Sequence, residues 1–152
     1  MTKTMWLAVV LTAACTGTPK PSLAPELAGA SGRATYFASI VPTTGAGHRL
    51  SGAVTLRATS DTSYTVSFTL RGANPNARYA WTIRAGRCGE GFQNADVAPR
   101  EAYAPIRVRP DGEAQERMNL LADLPDEPLH VDLMPNESRP EDVVACGALI
   151  KR

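Results

Sequence analysis

Few side chains in this sequence could bind a metal or act as a nucleophile. The 152 residues contain two histidines, three cysteines and four methionines. His48 lies in a glycine-rich segment and His130 in an apolar segment, and a solvated or half-buried histidine is the simpler interpretation of each. A grouping of Met118, Met134 and His130 would suit Cu(I), which prefers soft sulfur ligands. Because methionines at strand spacing more often fill a core, the residues alone predict no metal site, with this Cu(I) grouping as the alternative.

The cysteines divide into one near the start of the chain and two in its second half. Cys15 follows the sequence LTAA, which resembles a bacterial lipobox, except that Thr12 stands where the motif usually has leucine. We expect lipidation of Cys15, with ordinary signal cleavage as the alternative. Cys88 and Cys146 are then left as a pair that would form a disulfide in an oxidising compartment. Two buried free thiols are the alternative for that pair.

Catalytic motifs and a strong charge are both absent from the sequence. It contains no G-x-S-x-G turn, no H-E-x-x-H segment and no phosphate-binding glycine loop. The formal net charge is +1, so no strong positive field exists to attract nucleic acid. We therefore expect a protein that is not an enzyme, has no cofactor and does not bind nucleic acid.

The N-terminal segments predict export and attachment to a membrane. Residues 1–14 have a positive start, a short apolar stretch and small residues before Cys15, as in a lipoprotein signal peptide. Residues 15–31 are rich in Pro, Ala, Gly, Ser and Thr, the composition of a flexible tether. Residues 32–152 have the length of a single domain. The predicted location is the cell envelope, on the periplasmic face or at the outer membrane, with the N-terminal lipid as the membrane anchor.

The domain shows the period-two pattern of β-strands, interrupted by Gly, Pro, Asn and Asp. The predicted strands are Arg33–Val41, Arg49–Ala58, Tyr64–Leu70, Arg78–Arg84, Ile106–Val108, Ala114–Leu121, Leu129–Met134 and Val143–Ile150. The side chains predicted to face the core are Leu50, Val54, Leu56, Tyr64, Val66, Phe68 and Leu70. Many short strands with frequent turns predict an all-β, immunoglobulin-like antiparallel Greek-key β-sandwich with one disulfide inside the domain.

Four segments carry a resemblance to a known family. They are WTIRAGRCG at 81–89, AYAPI at 102–106, HVDLM at 130–134 and VACGAL at 144–149. In this order they resemble the landmarks of copper/zinc superoxide dismutase-like lipoproteins, over roughly residues 52–149. The resemblance implies a Greek-key sandwich and a disulfide that joins the loop after the fourth strand to the final strand.

The same resemblance implies a metal centre whose ligands are missing. The family's copper-ligand places fall on Thr82, Arg84 and Met134, and a guanidinium at one of them adds a permanent positive charge. The zinc loop would span residues 89–100, where there is no histidine, and Asp96 alone does not make a zinc site. His130 resembles a structural position of the family. The arginines as a group, spread from Arg33 to Arg152, are interpreted as solvated surface.

These features together predict a non-catalytic envelope lipoprotein whose sandwich serves as a binding or structural module. The loop at residues 86–105 is the segment expected to contact an envelope protein partner, because loops on a rigid scaffold often carry binding. One alternative is a copper-binding protein or a residual superoxide dismutase. A second is an immunoglobulin-like adhesion or assembly module.

Overall fold

A computed structural model describes residues 33–44, 49–90, 95–136, 138–139 and 141–152. The predicted signal peptide, Cys15, the tether and His48 lie outside these ranges. Within them, no helix has the length and apolar character needed to cross a bilayer.

The described chain forms eight antiparallel β-strands and one short 3₁₀-helix. The strands are β1 Thr35–Pro42, β2 Ser51–Ser60, β3 Ser63–Arg71, β4 Arg78–Ala85, β5 Ile106–Arg107, β6 Ala114–Leu121, β7 Leu129–Met134 and β8 Ala145–Lys151. The 3₁₀-helix, η1, covers Arg100–Ala102 between β4 and β5. Each predicted strand is confirmed with shifts of a few residues at its ends, which are the least certain parts of a pattern-based prediction.

The strands form one continuous sheet in the order β5-β4-β7-β8-β1-β2-β3-β6. Its edge strands β5 and β6 approach each other, so the sheet curls around a single apolar core. Phe68 of β3 meets Trp81 of β4 edge to face, with ring centroids 4.9 Å apart. Because β3 and β4 are not neighbours in the sheet, this contact crosses the core and joins its two halves.

The core consists of the alternate residues that point inward from each strand. Leu50, Val54 and Leu56, and all four predicted inward residues of β3, are buried. From β4 and β7 the inward side chains are Tyr79, Trp81, Ile83, Leu129, Val131 and Leu133. The prediction of the core from period-two alternation is therefore confirmed.

Strand β8 lies where the two halves of the sheet meet. It pairs with β7 on one side and with β1 on the other. A Cβ atom added to Gly147 would lie 2.6 Å from the carbonyl oxygen of Ser39 and 2.9 Å from Cδ1 of Ile40. Since no side chain can approach a backbone that closely, β8 and β1 require glycine at this position.

The predicted pairing of the second and third cysteines is confirmed. Cys88 follows β4 and Cys146 lies in β8, and a disulfide joins them across 58 residues of sequence, with Cα atoms 5.8 Å apart. The disulfide fixes the start of the β4–β5 connection to the last strand.

Candidate functional site

The outer face of β4 and β7 carries the polar side chains that are buried in this domain. Strand alternation directs Thr82 and Arg84 of β4 away from the core, and they pair with Asp132 and His130 of β7. Such a face is usually in contact with water in an antiparallel sheet. Here all four residues are between 2% and 4% exposed. We call these four residues, together with Asp96, the Arg84 cluster.

The β4–β5 connection covers this face and explains the burial. Its backbone is tied to β4 by a bridge between Arg84 and Asp96 and by donation from Val97 N–H to the Ile83 carbonyl, at 2.9 Å. Further along, the indole Nε1–H of Trp81 donates to the carbonyl oxygen of Ala104, at 2.8 Å. These hydrogen bonds and the disulfide hold the described part of the connection against the sheet.

Tyr103, a residue of this connection, is a buried aromatic group that packs against β4. Its ring packs edge to face on Trp81, with centroids 4.8 Å apart, and its hydroxyl donates to the Ile83 carbonyl over 3.4 Å. Burial is the main cause that raises the pKa of Tyr103 to about 12. The phenol is thus neutral at physiological pH and acts as a hydrogen-bond donor and a packing surface.

Arg84 is at the centre of the cluster. Its Nε donates to Oδ1 of Asp96 at 2.8 Å, and its NH1 donates to Oδ2 of Asp132 at 3.4 Å. The Arg84 and Asp132 side chains are 2% and 6% exposed, and that of Asp96 is 17% exposed. A buried guanidinium needs such partners, because an unpaired charge in the interior is strongly unfavourable. The interpretation of this arginine as solvated surface is wrong, because the β4–β5 connection covers it.

His130 extends the cluster on the side of β7. Its Nδ1 lies 3.1 Å from the Gly86 carbonyl oxygen and its Nε2 lies 3.5 Å from Oδ2 of Asp132. Both ring nitrogens therefore face acceptors, and only the protonated imidazole can donate to both. Burial, the largest influence, lowers the pKa of His130, but the hydrogen bond and charge of Asp132 outweigh it, so the net pKa is raised. The predicted half-buried or surface histidine is wrong, because this ring is 2% exposed.

A cavity of about 410 Å³ opens beside the cluster, between β4, β7 and the covering connection. Its apolar walls include Trp81, Tyr103, Pro105 and Met134, while Arg100 and Glu101 are exposed residues among its lining. This volume lies in the range of small-molecule sites. Thr82 also lines the cavity, and within the described residues its hydroxyl oxygen is the buried side-chain polar atom that has no hydrogen-bond partner.

The residues present do not fit a redox metal. Ligand atoms of His130, Asp132 and Cys146 lie within 4.8 Å of one another, but the Cys146 sulfur is in the disulfide. Asp132 already accepts from Arg84, whose fixed positive charge opposes a cation. The described residues thus offer one imidazole here, whereas copper redox sites use several soft or imidazole ligands.

The structure also separates the residues of the alternative Cu(I) grouping. His130 and Met134 lie four residues apart on β7, which corresponds to about 13 Å along a strand. Met118 belongs to β6, which is not adjacent to β7 in the sheet. This grouping is therefore wrong. The three positions that correspond to copper ligands in the resemblance do lie together. Strand alternation puts Thr82, Arg84 and Met134 on one face of the β4–β7 pair.

Sequence reasoning missed the two partners of Arg84. Asp132 lies at an alternate position of an apolar strand, where a charged side chain signals either a solvated face or a buried pair. Asp96 drew attention only as an insufficient zinc ligand of the loop at residues 89–100. The spacing of two residues between His130 and Asp132 indicates that both lie on the same face of β7. Nothing in the local sequence indicates that another segment covers this face.

Comparisons with known proteins add no assignment. No protein-family model and no curated protein sequence matches this chain.

Proposed function

We propose that this protein is a non-catalytic lipoprotein of a bacterial cell envelope. Its domain would be a β-sandwich of the copper/zinc superoxide dismutase type, in which an internal ion-pair cluster stands in place of the metal centre. The domain would act as a binding or structural module, anchored through a lipid on Cys15.

The observation that carries this proposal is the environment of Arg84. The resemblance puts a copper ligand at this position, and the side chain present is a buried guanidinium between Asp96 and Asp132. Both carboxylates pair with that charge, and Asp96 also has the exposed Arg100 within 3.7 Å. Such ion pairs stabilise the covering connection, and the guanidinium and its carboxylates supply neither an electron carrier nor a nucleophile for catalysis.

The strand order supports the fold part of the proposal. Strands β4, β5 and β6 follow one another, with β5 beside both β4 and β6, and β7 returns to the other side of β4. This order supports the Greek-key connection that we propose, in which the fourth strand returns beside the first. A disulfide from the β4–β5 connection to the last strand is also what the resemblance implies.

The cavity beside the cluster supports a binding role. It combines apolar walls with exposed charged residues, as small-molecule sites commonly do. A fold that has lost catalytic ligands can still present a shaped surface, since function lies in the site and not in the fold.

Metal loading tests the non-catalytic part. Full-length protein, with its disulfide intact, would be incubated with Cu(II) and Zn(II), dialysed, and assayed by elemental analysis and by superoxide dismutation. We expect far less than one copper per chain and no dismutation above that of a metal-free blank. Stoichiometric copper together with dismutase activity would overturn the proposal.

Lipid labelling tests the envelope part. Cells expressing the chain would be fed radiolabelled palmitate, and the wild type would be compared with Cys15→Ser and, as a matched cysteine control, Cys88→Ser. We expect label in the wild type and in Cys88→Ser, and none in Cys15→Ser. An unlabelled wild type, or a labelled Cys15→Ser, contradicts the lipoprotein assignment.

A further inference from the structure

The half of the sheet opposite the Arg84 cluster presents a hydroxyl-rich, positively charged outer face. Strands β1, β2, β3 and β6 expose one alternate set of residues to the outside. At these positions the charged residues are all arginines and the others are mainly Ser, Thr, Asn and Gln. The outward residues of β2, β3 and β6 are Ser51, Ala53, Thr55, Arg57, Ser63, Thr65, Ser67, Thr69, Arg71, Gln115, Arg117, Asn119 and Leu121.

Two neighbouring sets of residues, each paired across adjacent strands of this face, line one hollow. The ladder places Thr55 beside Ser67 and Ser67 beside Arg117, and in the next row Arg57 beside Thr65. These five residues line a hollow of about 180 Å³. The two arginines thus lie on opposite sides of β3, with the hydroxyl groups of Thr65 and Ser67 between them and that of Thr55 beside them on β2.

The two arginines place exposed positive charge at the hollow. Arg57 and Arg117 are exposed and form no ion pair with any residue in the described part of the chain. The carboxylate of β6, Glu116, lies at an inward-facing position opposite Phe68. Arg71, at the edge of the face, has Glu113 within 3.9 Å. The hollow therefore concentrates positive charge in a protein whose net charge is only +1.

This chemistry suits an oxyanion. Guanidinium groups bind phosphate with short, charge-assisted hydrogen bonds and often in a bidentate manner. Serine and threonine hydroxyls can donate to the remaining anion oxygens or pair with ligand hydroxyls. The surrounding hydroxyl and amide side chains of β2, β3 and β6 match a ligand rich in hydroxyl groups.

We propose that this hollow is a binding site for the phosphate group of a phosphorylated carbohydrate. Arg57 and Arg117 hold the phosphate from two sides, while Thr55, Thr65 and Ser67 hydrogen-bond to the phosphate and to the sugar. The site is separate from the Arg84 cluster, so its failure would leave the absence of catalysis untouched.

The test is titration of the full-length protein with glucose 6-phosphate, inorganic phosphate and glucose, followed by NMR of the arginine Nε–Hε groups. We expect glucose 6-phosphate to bind more tightly than phosphate, and glucose to bind weakest. The shifts should report on Arg57 and Arg117. Equal affinities for phosphate and glucose 6-phosphate would overturn the carbohydrate part, and absence of binding to both would overturn the site.

Matched double variants separate a site from general charge attraction. Arg57→Gln/Arg117→Gln should weaken glucose 6-phosphate binding about tenfold or more, since two charge-assisted contacts are lost. Arg78→Gln/Arg107→Gln removes the same charge from an exposed, strand-paired couple on β4 and β5. This control should bind like the wild type. An equal loss in both double variants would overturn the proposal.

The hydroxyl contacts have their own test. Thr65→Val keeps the shape and β-branching of the side chain and removes the hydroxyl between the two arginines. We expect weaker binding of glucose 6-phosphate with an unchanged melting temperature. Unchanged affinity in this variant would contradict the assigned role of Thr65.

Discussion

Replacement of Arg84 by methionine tests whether the buried ion pairs hold the covering connection on the sheet. Methionine fills much of the same volume without the charge. It leaves the Asp132 carboxylate, 6% exposed, without its guanidinium partner, so that His130 Nε2, 3.5 Å away, is the cationic neighbour that remains. Asp96 is 17% exposed and keeps some contact with water, so most of the penalty falls on Asp132.

The expected loss in the free energy of unfolding follows from other proteins, in which removal of one partner of a buried ion pair costs about 3–5 kcal/mol. For a domain of the size of Gly32–Arg152, this corresponds to a melting temperature lower by roughly 10–20 °C. Differential scanning calorimetry and urea unfolding of Arg84→Met would measure both quantities. Circular dichroism would verify that the β-structure is retained before unfolding.

A double-mutant cycle assigns the loss to the pair itself. Asp132→Asn and the double variant Arg84→Met/Asp132→Asn complete the cycle, and we expect a coupling free energy of about 1–3 kcal/mol. The double variant should be more stable than the sum of the single losses predicts, because Asp132→Asn removes the carboxylate that loses its guanidinium partner in Arg84→Met. Arg78→Met on the same strand is the control, and as an exposed position it should change stability by less than about 0.5 kcal/mol. An Arg84→Met variant within 1 kcal/mol of the wild type, or a coupling of zero, would refute the reasoning.

Three further predictions concern the disulfide, the histidine and the close approach of β8. Cys88→Ser should cost about 4 kcal/mol in the chain-entropy treatment of a 58-residue loop, measured as the shift in urea midpoint. The raised pKa of His130 means that protonation stabilises the fold: this contribution is full below pH 6.5 and is lost as the pH rises through the raised pKa, and His130→Gln should remove that pH dependence from chemical denaturation curves. Gly147→Ala should destabilise by about 1–3 kcal/mol, because its Cβ would meet the Ser39 carbonyl, and thermal unfolding would measure the loss.

Each of these has a control and a contradicting result. An unchanged urea midpoint after reduction of the wild type would mean that the disulfide adds no stability. A stability profile of His130→Gln that still falls across the same pH window would assign that slope to another group. Ala148→Ser, at the exposed neighbour of Gly147, should leave thermal unfolding unchanged, and an equal loss in both variants would contradict the steric argument.

The strands and the core were determined largely by local sequence. In β3, Tyr64, Val66, Phe68 and Leu70 alternate with polar residues, and this pattern alone assigns one face to the core. The turns follow from Gly, Pro, Asn and Asp, whose backbone preferences act within a few residues. The pairing of Cys88 with Cys146 followed from cysteine count and compartment.

The site was decided by tertiary structure. Strand alternation points the side chains of Arg84 and Asp132 away from the core, and side chains on that face of a sheet are normally in contact with water. Only the β4–β5 connection, held by the disulfide and by Asp96, covers that face and converts a solvated charge into a buried one. The strength of a charge pair depends on how much water surrounds it, and that is set by residues distant in sequence. The hollow between Arg57 and Arg117 likewise depends on the register of three strands, which a single strand's pattern cannot specify.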